Sequence, residues 1–293
     1  MLTLCLLVHT IIALKLPCSV ADKAFRSKPR KISNQIVRMS STKKPLLLPS
    51  DRIIIALDFS SLKDAEPLIR QLKDRVGLFK VGLTMMLSEG IKNIVAKIKD
   101  ITGKDQNIFA DLKFSEAIDI PWQMGGVSSL FCDSKGLAFV TTHIESKKSL
   151  KEFVDKFKNG TKVLGLTILT SKSESEIEQS RGVDILNAVA TLSNTAKEAG
   201  CHGVVCSGQE AKVIRKLLGP DFIIVTPGIR PSWSKIKGDD QKRIVTPQEA
   251  ILNGADYIVV GRPIYMDKDP VGAAMKISDE IAKALEQTKK LLY

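Results

Sequence analysis

Three acids and a lysine lie close together in the stretch FADLKFSEAIDIP, residues 109–121. Asp111 and Lys113 are two residues apart in a segment that resembles the end of a buried strand, and Glu116 and Asp119 follow. Residues two apart on a strand point to the same side, so Asp111 and Lys113 are predicted to share one pocket. A lysine held by carboxylates stays protonated and can deliver a proton to a carbanion in a water-poor pocket. The spacing therefore predicts a proton donor at Lys113.

The elements that position this pair are eight short runs of mostly β-branched and apolar residues, separated by amphipathic segments such as 62–74 and 183–199. Their apolar residues are nearly continuous, which is typical of parallel strands buried on both faces. Eight strand–helix units predict an α/β fold with one domain, a (β/α)8 TIM barrel. A doubly wound open sheet is the alternative, but no glycine-rich fingerprint follows the first run. The predicted strands are 52–58, 78–82, 107–113, 138–144, 162–169, 203–207, 221–227 and 257–263.

Polar residues stand at the ends of most of these runs. In a barrel of this kind the catalytic groups come from the carboxyl ends of the strands, so these residues are predicted to face one active site. The first three strands would present acids and bases in alternation. The end residues are Asp58, Lys80, Asp111, Lys113, Thr170, Gly228, Arg230, Gly261 and Arg262.

The seventh and eighth strands indicate the ligand. The motifs VTPGIRP and VGRP place a glycine and an arginine after each strand, at Gly228 and Arg230 and at Gly261 and Arg262. Phosphate is usually bound in these two loops, where backbone N–H groups and a cation meet the anion. A phosphorylated small molecule is therefore predicted. The segment GDDQKR (238–243) reads as a flexible polar loop whose Gln241 can close over the phosphate.

The net charge of +12 is concentrated at the amino terminus. Residues 1–50 contain nine basic residues and a single acid, Asp22, so the rest of the chain is close to balanced and nucleic-acid binding is not expected. The five cysteines form no C-x-x-C pair, which argues against a structural zinc site or a disulfide framework and favours buried thiols in a reducing compartment.

Residues 1–48 are predicted to be a targeting leader outside the fold. An apolar run over 2–14 has the length of a signal peptide, and residues 23–44 are rich in Lys, Arg and Ser without an acid, as in transit peptides. This order resembles the bipartite leaders of plastid proteins, so a plastid location is predicted for residues 49–293, with no membrane segment in the mature protein. The alternative is a cytoplasmic protein that starts at Met39.

Several motifs together resemble the orotidine 5'-phosphate decarboxylase family over residues 52 to about 285. They are IIIALD, FKVG, FADLKF, ILTS, VCSGQEA, VTPGIRP, DQKRIVTPQEAI and GADYIVVGRPI. The resemblance implies a homodimeric (β/α)8 barrel that binds orotidine 5'-phosphate and needs no metal or organic cofactor. Lys113 would protonate the carbanion left by loss of CO2, beside Asp111. Asp58 and Lys80 would bind the ribose, Thr170 the pyrimidine, and Arg230, Gln241, Gly261 and Arg262 the phosphate.

The loop after the third strand departs from the family pattern, which is Asp-x-Lys-x-x-Asp followed by Ile-Pro and, two residues after the proline, a Thr. Without a gap Glu116 takes the place of the second Asp, whereas Asp-Ile-Pro matches at Asp119 with three inserted residues. Gln123 stands where the Thr is expected. We predict Asp119 as the second loop acid, which in the family reaches the site of the other subunit.

Two other functions remain open at this point. A metal-dependent sugar-phosphate decarboxylase or aldolase of the same barrel group shares the Asp-x-Lys arrangement but lacks the PGIRP and DQKR phosphate loops, and a chelator would abolish its activity. A non-catalytic uridine-phosphate-binding protein would keep the phosphate loops and bind its ligand tightly without turnover.

Overall fold

The computed structural model describes residues 47–105, 107–114, 131, 136–144, 146–157, 160–234, 236 and 238–290. Residues 1–46 of the predicted leader lie outside this part of the chain, as do Glu116, Asp119 and Gln123. The leader boundary at residue 48 and the choice between the two loop acids therefore stay predictions.

Eight parallel strands close into a barrel in which each strand pairs with the next along the chain and the eighth pairs with the first. All eight predicted runs form strands, so the predicted (β/α)8 barrel is confirmed and the open sheet is excluded. The strands are β1 (Ile53–Leu57), β2 (Leu78–Gly82), β3 (Ile108–Phe114), β4 (Leu137–His143), β5 (Lys162–Leu166), β6 (Gly203–Val205), β7 (Ile223–Thr226) and β8 (Tyr257–Val260).

The helices lie between the strands and after the last one. Polar caps start several of them: Ser61, Asp184 and Thr246 each accept a hydrogen bond from a first-turn backbone N–H. In the described residues no helix combines the length and apolar composition needed to cross a membrane. The helices are α1 (Leu62–Leu72), α2 (Leu83–Glu89), α3 (Ile91–Thr102), α4 (Lys147–Val154), α5 (Glu174–Arg181), α6 (Ile185–Glu198), α7 (Ala211–Leu218), α8 (Pro247–Leu252), α9 (Arg262–Tyr265) and α10 (Pro270–Lys290).

Alternate residues of the strands belong to two apolar layers. In β1, Ile55 packs in the layer between the barrel and its helices, whereas Ala56 packs in the barrel interior. Because side chains alternate along a strand, the residue two positions after an interior residue faces the interior as well. The interior residues include Ala56, Leu78, Phe109 and Phe139. Two positions beyond them stand Asp58, Lys80, Asp111 and Thr141, which form a polar layer above the apolar interior.

Two strand ends differ from the prediction in ways that shape the site. β5 ends at Leu166, and the carbonyls of Ile168 and Leu169 just beyond it accept hydrogen bonds from Arg243, both at 3.0 Å. β8 ends at Val260, and Arg262 begins the short helix α9 with a proline in its first turn. Thr170 and Arg262 therefore project from segments just beyond the strands.

Candidate active site

A cavity of about 240 Å³ is lined by residues at the carboxyl ends of the strands. Apolar side chains from the barrel interior, including Phe109, Leu166 and Val259, form part of its wall. Nine of the ten predicted site residues line this one cavity, and the tenth, Asp119, lies outside the described residues. The nine are Asp58, Lys80, Asp111, Lys113, Thr170, Arg230, Gln241, Gly261 and Arg262.

The acid–base row consists of Asp58, Lys80, Asp111 and Lys113. Lys80 Nζ lies 3.3 Å from Asp58 Oδ1 and 3.5 Å from Asp111 Oδ2. Lys113 Nζ donates a hydrogen bond to the same oxygen of Asp111 at 2.8 Å. The side chains of Lys80 and Asp111 are only 13% exposed, so the centre of the row is largely shielded from water. Asp111 is thus the shared partner of both lysines.

Charge pairing fixes the protonation states at the centre of the row. Burial alone would raise the pKa of Asp111, but the charges of Lys80 and Lys113 outweigh it and the pKa is lowered. Burial alone would lower the pKa of Lys80, but the charges of Asp111 and Asp58 outweigh it and the pKa is raised. At neutral pH, Asp111 is therefore an anion and Lys80 a cation.

Lys113 reaches Asp111 through an irregular backbone and not through the simple strand alternation that the sequence predicts. Its φ of 52° is the only positive φ of a non-glycine residue in the described part of the chain. Ala110 pairs with Val140 and Phe114 pairs with Thr142, so β3 has two more residues than β4 over this interval. A left-handed backbone at a residue with a Cβ costs about 1–2 kcal/mol. Such strain is commonly found at functional sites.

The arginine cluster consists of Arg230, Asp239, Asp240 and Arg262. Arg230 donates from Nε and Nη2 to the two carboxylate oxygens of Asp239, at 2.5 and 2.7 Å. Arg262 donates to Asp239 Oδ1 at 3.0 Å and also to Asp240. Hydrogen bonds from Arg230 lower the pKa of Asp239 to about 2. Two guanidinium groups that converge on one carboxylate are also suited to bind phosphate oxygens.

The second half of the 238–243 loop is held to the rim, where the sequence predicts a flexible loop. Thr170 Oγ1 donates to Gln241 Oε1 at 2.5 Å. The Thr170 carbonyl accepts from the backbone N–H groups of Lys242 and Arg243, each at 3.3 Å. The Arg243 side chain is 4% exposed and pairs with the equally buried Glu210 at 2.5 Å. These contacts connect Gln241 directly to the residue that the resemblance assigns to the pyrimidine.

The two predicted phosphate-loop glycines differ in how strictly their positions require glycine. Gly228 has a φ of 74°, and a Cβ there would lie 3.0 Å from the carbonyl oxygen of Arg243. A Cβ at Gly261 would meet Tyr265 Cε1 at 3.4 Å, Ala56 Cβ at 3.5 Å and Asp58 Oδ2 at 3.6 Å, which are ordinary van der Waals contacts. Gly228 therefore has a backbone conformation that favours glycine, whereas Gly261 lines the cavity at a position with space for a Cβ.

Three parts of the site are not predicted by the sequence. Thr141 donates a hydrogen bond to Asp111 Oδ1 at 2.9 Å. Its position two residues after the interior Phe139 is a periodic signal that could have revealed it. Asp239 lies inside GDDQKR, where the sequence pattern indicates only Gln241 as a ligand-binding residue. The pairing of Glu210 with Arg243, 33 residues apart in sequence, has no local signal.

The cysteines and acids give no sign of a metal centre in the described residues, where no group of three or more His, Cys, Asp or Glu side chains could hold a metal ion. Cys201 and Cys206 are buried free thiols, as predicted. Burial raises the pKa of Cys201 to about 12. Cys206 lines the cavity, and burial raises its pKa as well.

Comparison with known proteins identifies the family of the chain. The family model described as orotidine 5'-phosphate decarboxylase / HUMPS family matches residues 51–277. The chain is 40% identical over 247 residues to the orotidine 5'-phosphate decarboxylase of Syntrophotalea carbinolica, covering 80% of this chain and 97% of the relative. It is 38% identical over 242 residues to that of Syntrophomonas wolfei, covering 79% of this chain and 98% of the relative.

A solved structure agrees with these relatives. The crystal structure of orotidine 5'-phosphate decarboxylase from Lactobacillus acidophilus matches with a TM-score of 0.65 and 30% identity, covering 78% of this chain and 98% of that chain. Residues 51–277, which the family model matches, contain all eight strands and every residue of the acid–base row and the arginine cluster. The chain therefore belongs to the orotidine 5'-phosphate decarboxylase / HUMPS family.

Proposed function

We propose that the chain is an orotidine 5'-phosphate decarboxylase, a carboxy-lyase that forms uridine 5'-phosphate and CO2 in the last step of de novo UMP synthesis. The curated relatives described above carry this name. The observation that carries the proposal is the Lys113 ammonium, held 2.8 Å from the largely buried Asp111 at the cavity. A fixed ammonium of this kind supplies both the charge and the proton that a carbanion requires.

Decarboxylation breaks the bond between C6 of the pyrimidine and its carboxylate carbon, and CO2 leaves while the electron pair stays on C6. The positive charge of Lys113 stabilises this developing anion. A proton then passes from Nζ to C6, and the neutral amine regains a proton from water. Asp111 orients the Lys113 ammonium before the reaction begins, through the hydrogen bond of 2.8 Å.

The rest of the cavity orients the substrate. Its phosphate binds Arg230 and Arg262, with Gln241 and Gly261 beside it, in the place where Asp239 now accepts hydrogen bonds from both arginines. The ribose hydroxyls bind Asp58 and Lys80, and the pyrimidine binds Thr170. Phosphate contacts remote from C6 supply binding energy that holds the ring in the reactive position.

The direct test is the loss of orotidine 5'-phosphate absorbance with the purified full-length chain, with Lys113→Ala measured in parallel. We expect turnover that a chelator does not reduce, and a fall of about 10³-fold or more in the variant. Lys97→Ala is the control, because Lys97 forms only a surface ion pair with Glu66 at 3.5 Å. A wild-type chain that bound uridine 5'-phosphate without turnover would support the non-catalytic alternative, and an active Lys113→Ala would refute the proposed proton donor.

The active unit is proposed to be a homodimer. Helix α2, which directly follows the strand that carries Lys80, exposes Leu83 at 53% and Leu87 at 78%. Exposed large apolar side chains at neighbouring turns of one helix favour burial against a second subunit. We expect Leu87→Glu to shift the protein from dimer to monomer in sedimentation. Met275→Glu is the control and should leave the dimer intact, because α10 exposes Met275, at 47%, as a single large apolar side chain. A wild-type monomer with full activity would contradict this proposal.

Asp119 is proposed as the acid that reaches the site of the second subunit. Asp119→Asn and Glu116→Gln remove one carboxylate each, so their rates separate the two candidates. We expect the large loss in Asp119→Asn. A large loss in Glu116→Gln alone would instead identify Glu116 and would mean that the loop aligns with the family without a gap.

Residues 1–48 are proposed to direct the protein to a plastid, on the strength of the apolar run and the acid-free basic segment. A fusion of these residues to a fluorescent reporter tests the proposal in plastid-bearing cells. A plastid signal is expected, and a diffuse cytosolic signal would favour the alternative start at Met39.

A further inference from the structure

Thr141 lies beside the acid–base row, on the strand next to β3. It belongs to β4 and follows the interior residue Phe139 by two positions, so its side chain faces the barrel interior beside β3. The residue is fully buried, and it is not among the residues that line the cavity. Thr141 is therefore placed to act on the row without touching a substrate.

One hydroxyl group of Thr141 joins the two ends of the Asp-x-Lys pair. Its Oγ1 accepts a hydrogen bond from the backbone N–H of Lys113 at 3.0 Å and donates one to Asp111 Oδ1 at 2.9 Å. A backbone N–H can only donate and a carboxylate can only accept, so the direction of both bonds is fixed. The hydroxyl therefore donates its single proton to Asp111 and accepts the Lys113 N–H with a lone pair of its own oxygen.

These bonds meet a need created by the backbone of β3. Lys113 has a φ of 52°, and the pairing of β3 with β4 skips from Ala110 to Phe114. The Lys113 N–H is therefore removed from the regular ladder and needs another partner. Thr142, the next residue on β4, donates from Oγ1 to the carbonyl of Phe114 at 3.0 Å. Two successive threonines thus hold the irregular segment, but only Thr141 also contacts the row.

We propose that Thr141 is a positioning residue for decarboxylation, which holds the strained Lys113 backbone and the Asp111 carboxylate in fixed relative positions so that the ammonium points at C6. This inference rests on the proposed function. Asp111 Oδ2 keeps both lysines as partners when the Thr141 hydroxyl is removed. The expected consequence is a misplaced ammonium and not a loss of substrate binding.

The test compares Thr141→Val, Thr141→Ser and Thr142→Val in the full chain. Valine has the shape of threonine without its hydroxyl, so Thr141→Val is expected to lower kcat about 10- to 100-fold while KM for orotidine 5'-phosphate changes less than about threefold. Thr141→Ser keeps the hydroxyl and should restore kcat to within about threefold of the wild type. Thr142→Val is the matched control, because Thr142 is equally buried yet bonds only to backbone carbonyls.

The outcomes separate this inference from the proposed function. A wild-type chain without turnover would refute the function itself. Turnover in the wild type together with an unchanged kcat in Thr141→Val would refute only the role of Thr141, and so would an equal loss of kcat in Thr142→Val. If Thr141→Val does not fold, Thr141→Cys, whose thiol is a weak hydrogen-bond donor, should show the same fall in kcat.

Discussion

The acid–base row and the arginine cluster are two arrangements of paired charges, each with two acids and two bases, and the bases of both line one cavity. The row is built on strands: Lys80 and Asp111 lie within β2 and β3, and both are 13% exposed. The acids of the arginine cluster come from a loop, and Asp240 is 67% exposed. The charge pairs are therefore positioned by barrel strands in the row and by a loop at the rim in the arginine cluster.

This difference suits the acid–base row to catalysis and the arginine cluster to substrate binding. Charges held by strands in a water-poor site need no rearrangement during the reaction, which favours catalysis. The Asp239 carboxylate accepts hydrogen bonds from both arginines. A substrate phosphate must replace this carboxylate as their acceptor in order to bind. We therefore expect changes in the row to alter kcat and changes in the arginine cluster to alter KM.

The largest expected effect is that of Asp111→Asn, which removes the shared partner of two lysines while keeping the size of the side chain. We expect kcat to fall by about 10³-fold or more, because Lys113 loses the charge that orients it. Steady-state kinetics measure kcat and KM. A rise in KM without a fall in kcat would show that the row serves substrate binding. The proposed division between a catalytic row and a binding arginine cluster would then be wrong.

Arg230→Met is expected to change KM more than kcat. It removes a forked, charge-assisted donor, so KM for orotidine 5'-phosphate should rise by about 10²-fold with a smaller change in kcat. Calorimetric binding of uridine 5'-phosphate and of uridine provides a second measurement, since only the phosphorylated ligand should lose affinity. Arg70→Met, which removes a surface ion pair with Glu66, is the matched control and should change neither constant.

Asp239→Asn should have a smaller effect of opposite sign. The variant no longer offers a charged competitor for the arginines, so affinity for uridine 5'-phosphate should rise about fivefold, equivalent to about 1 kcal/mol. Asp105→Asn is the control, because Asp105 pairs with Lys99 on the surface. Weaker binding in Asp239→Asn would show that Asp239 aligns the arginines for phosphate and does not compete with it.

The smallest effect concerns acid stability. The folded-state pKa of Asp239 is about 2, below its ordinary value of 3.8, so its stabilising contribution is present above about pH 4 and is lost as pH falls towards 2. Asp239→Asn lacks this contribution at every pH. We expect the difference in melting temperature between the wild type and the variant to narrow as pH falls from about 5. A constant difference would mean that the Arg230 pair does not contribute to stability.

The sequence predicts the barrel and most of the site because both depend on local patterns. Continuous apolar runs mark strands buried on both faces, and their polar end residues converge once the strands are parallel. The backbone conformation of Lys113 is not predictable from such patterns, since its φ of 52° depends on how β3 pairs with β4. The ion pairs of Arg230 and Arg262 with Asp239 likewise depend on the path of a loop, and sequence spacing does not determine that path.

The left-handed backbone at Lys113 must be reproduced when this site is designed into another barrel. Copying Asp-x-Lys onto a regular strand would preserve the spacing in sequence but would aim the amine differently, because the native strand has two residues more than its neighbour over this interval. A glycine at position 113 would adopt the same φ with less strain, yet it carries no amine. A designed decarboxylase therefore needs the longer strand, and a partner for the displaced N–H on the strand beside it.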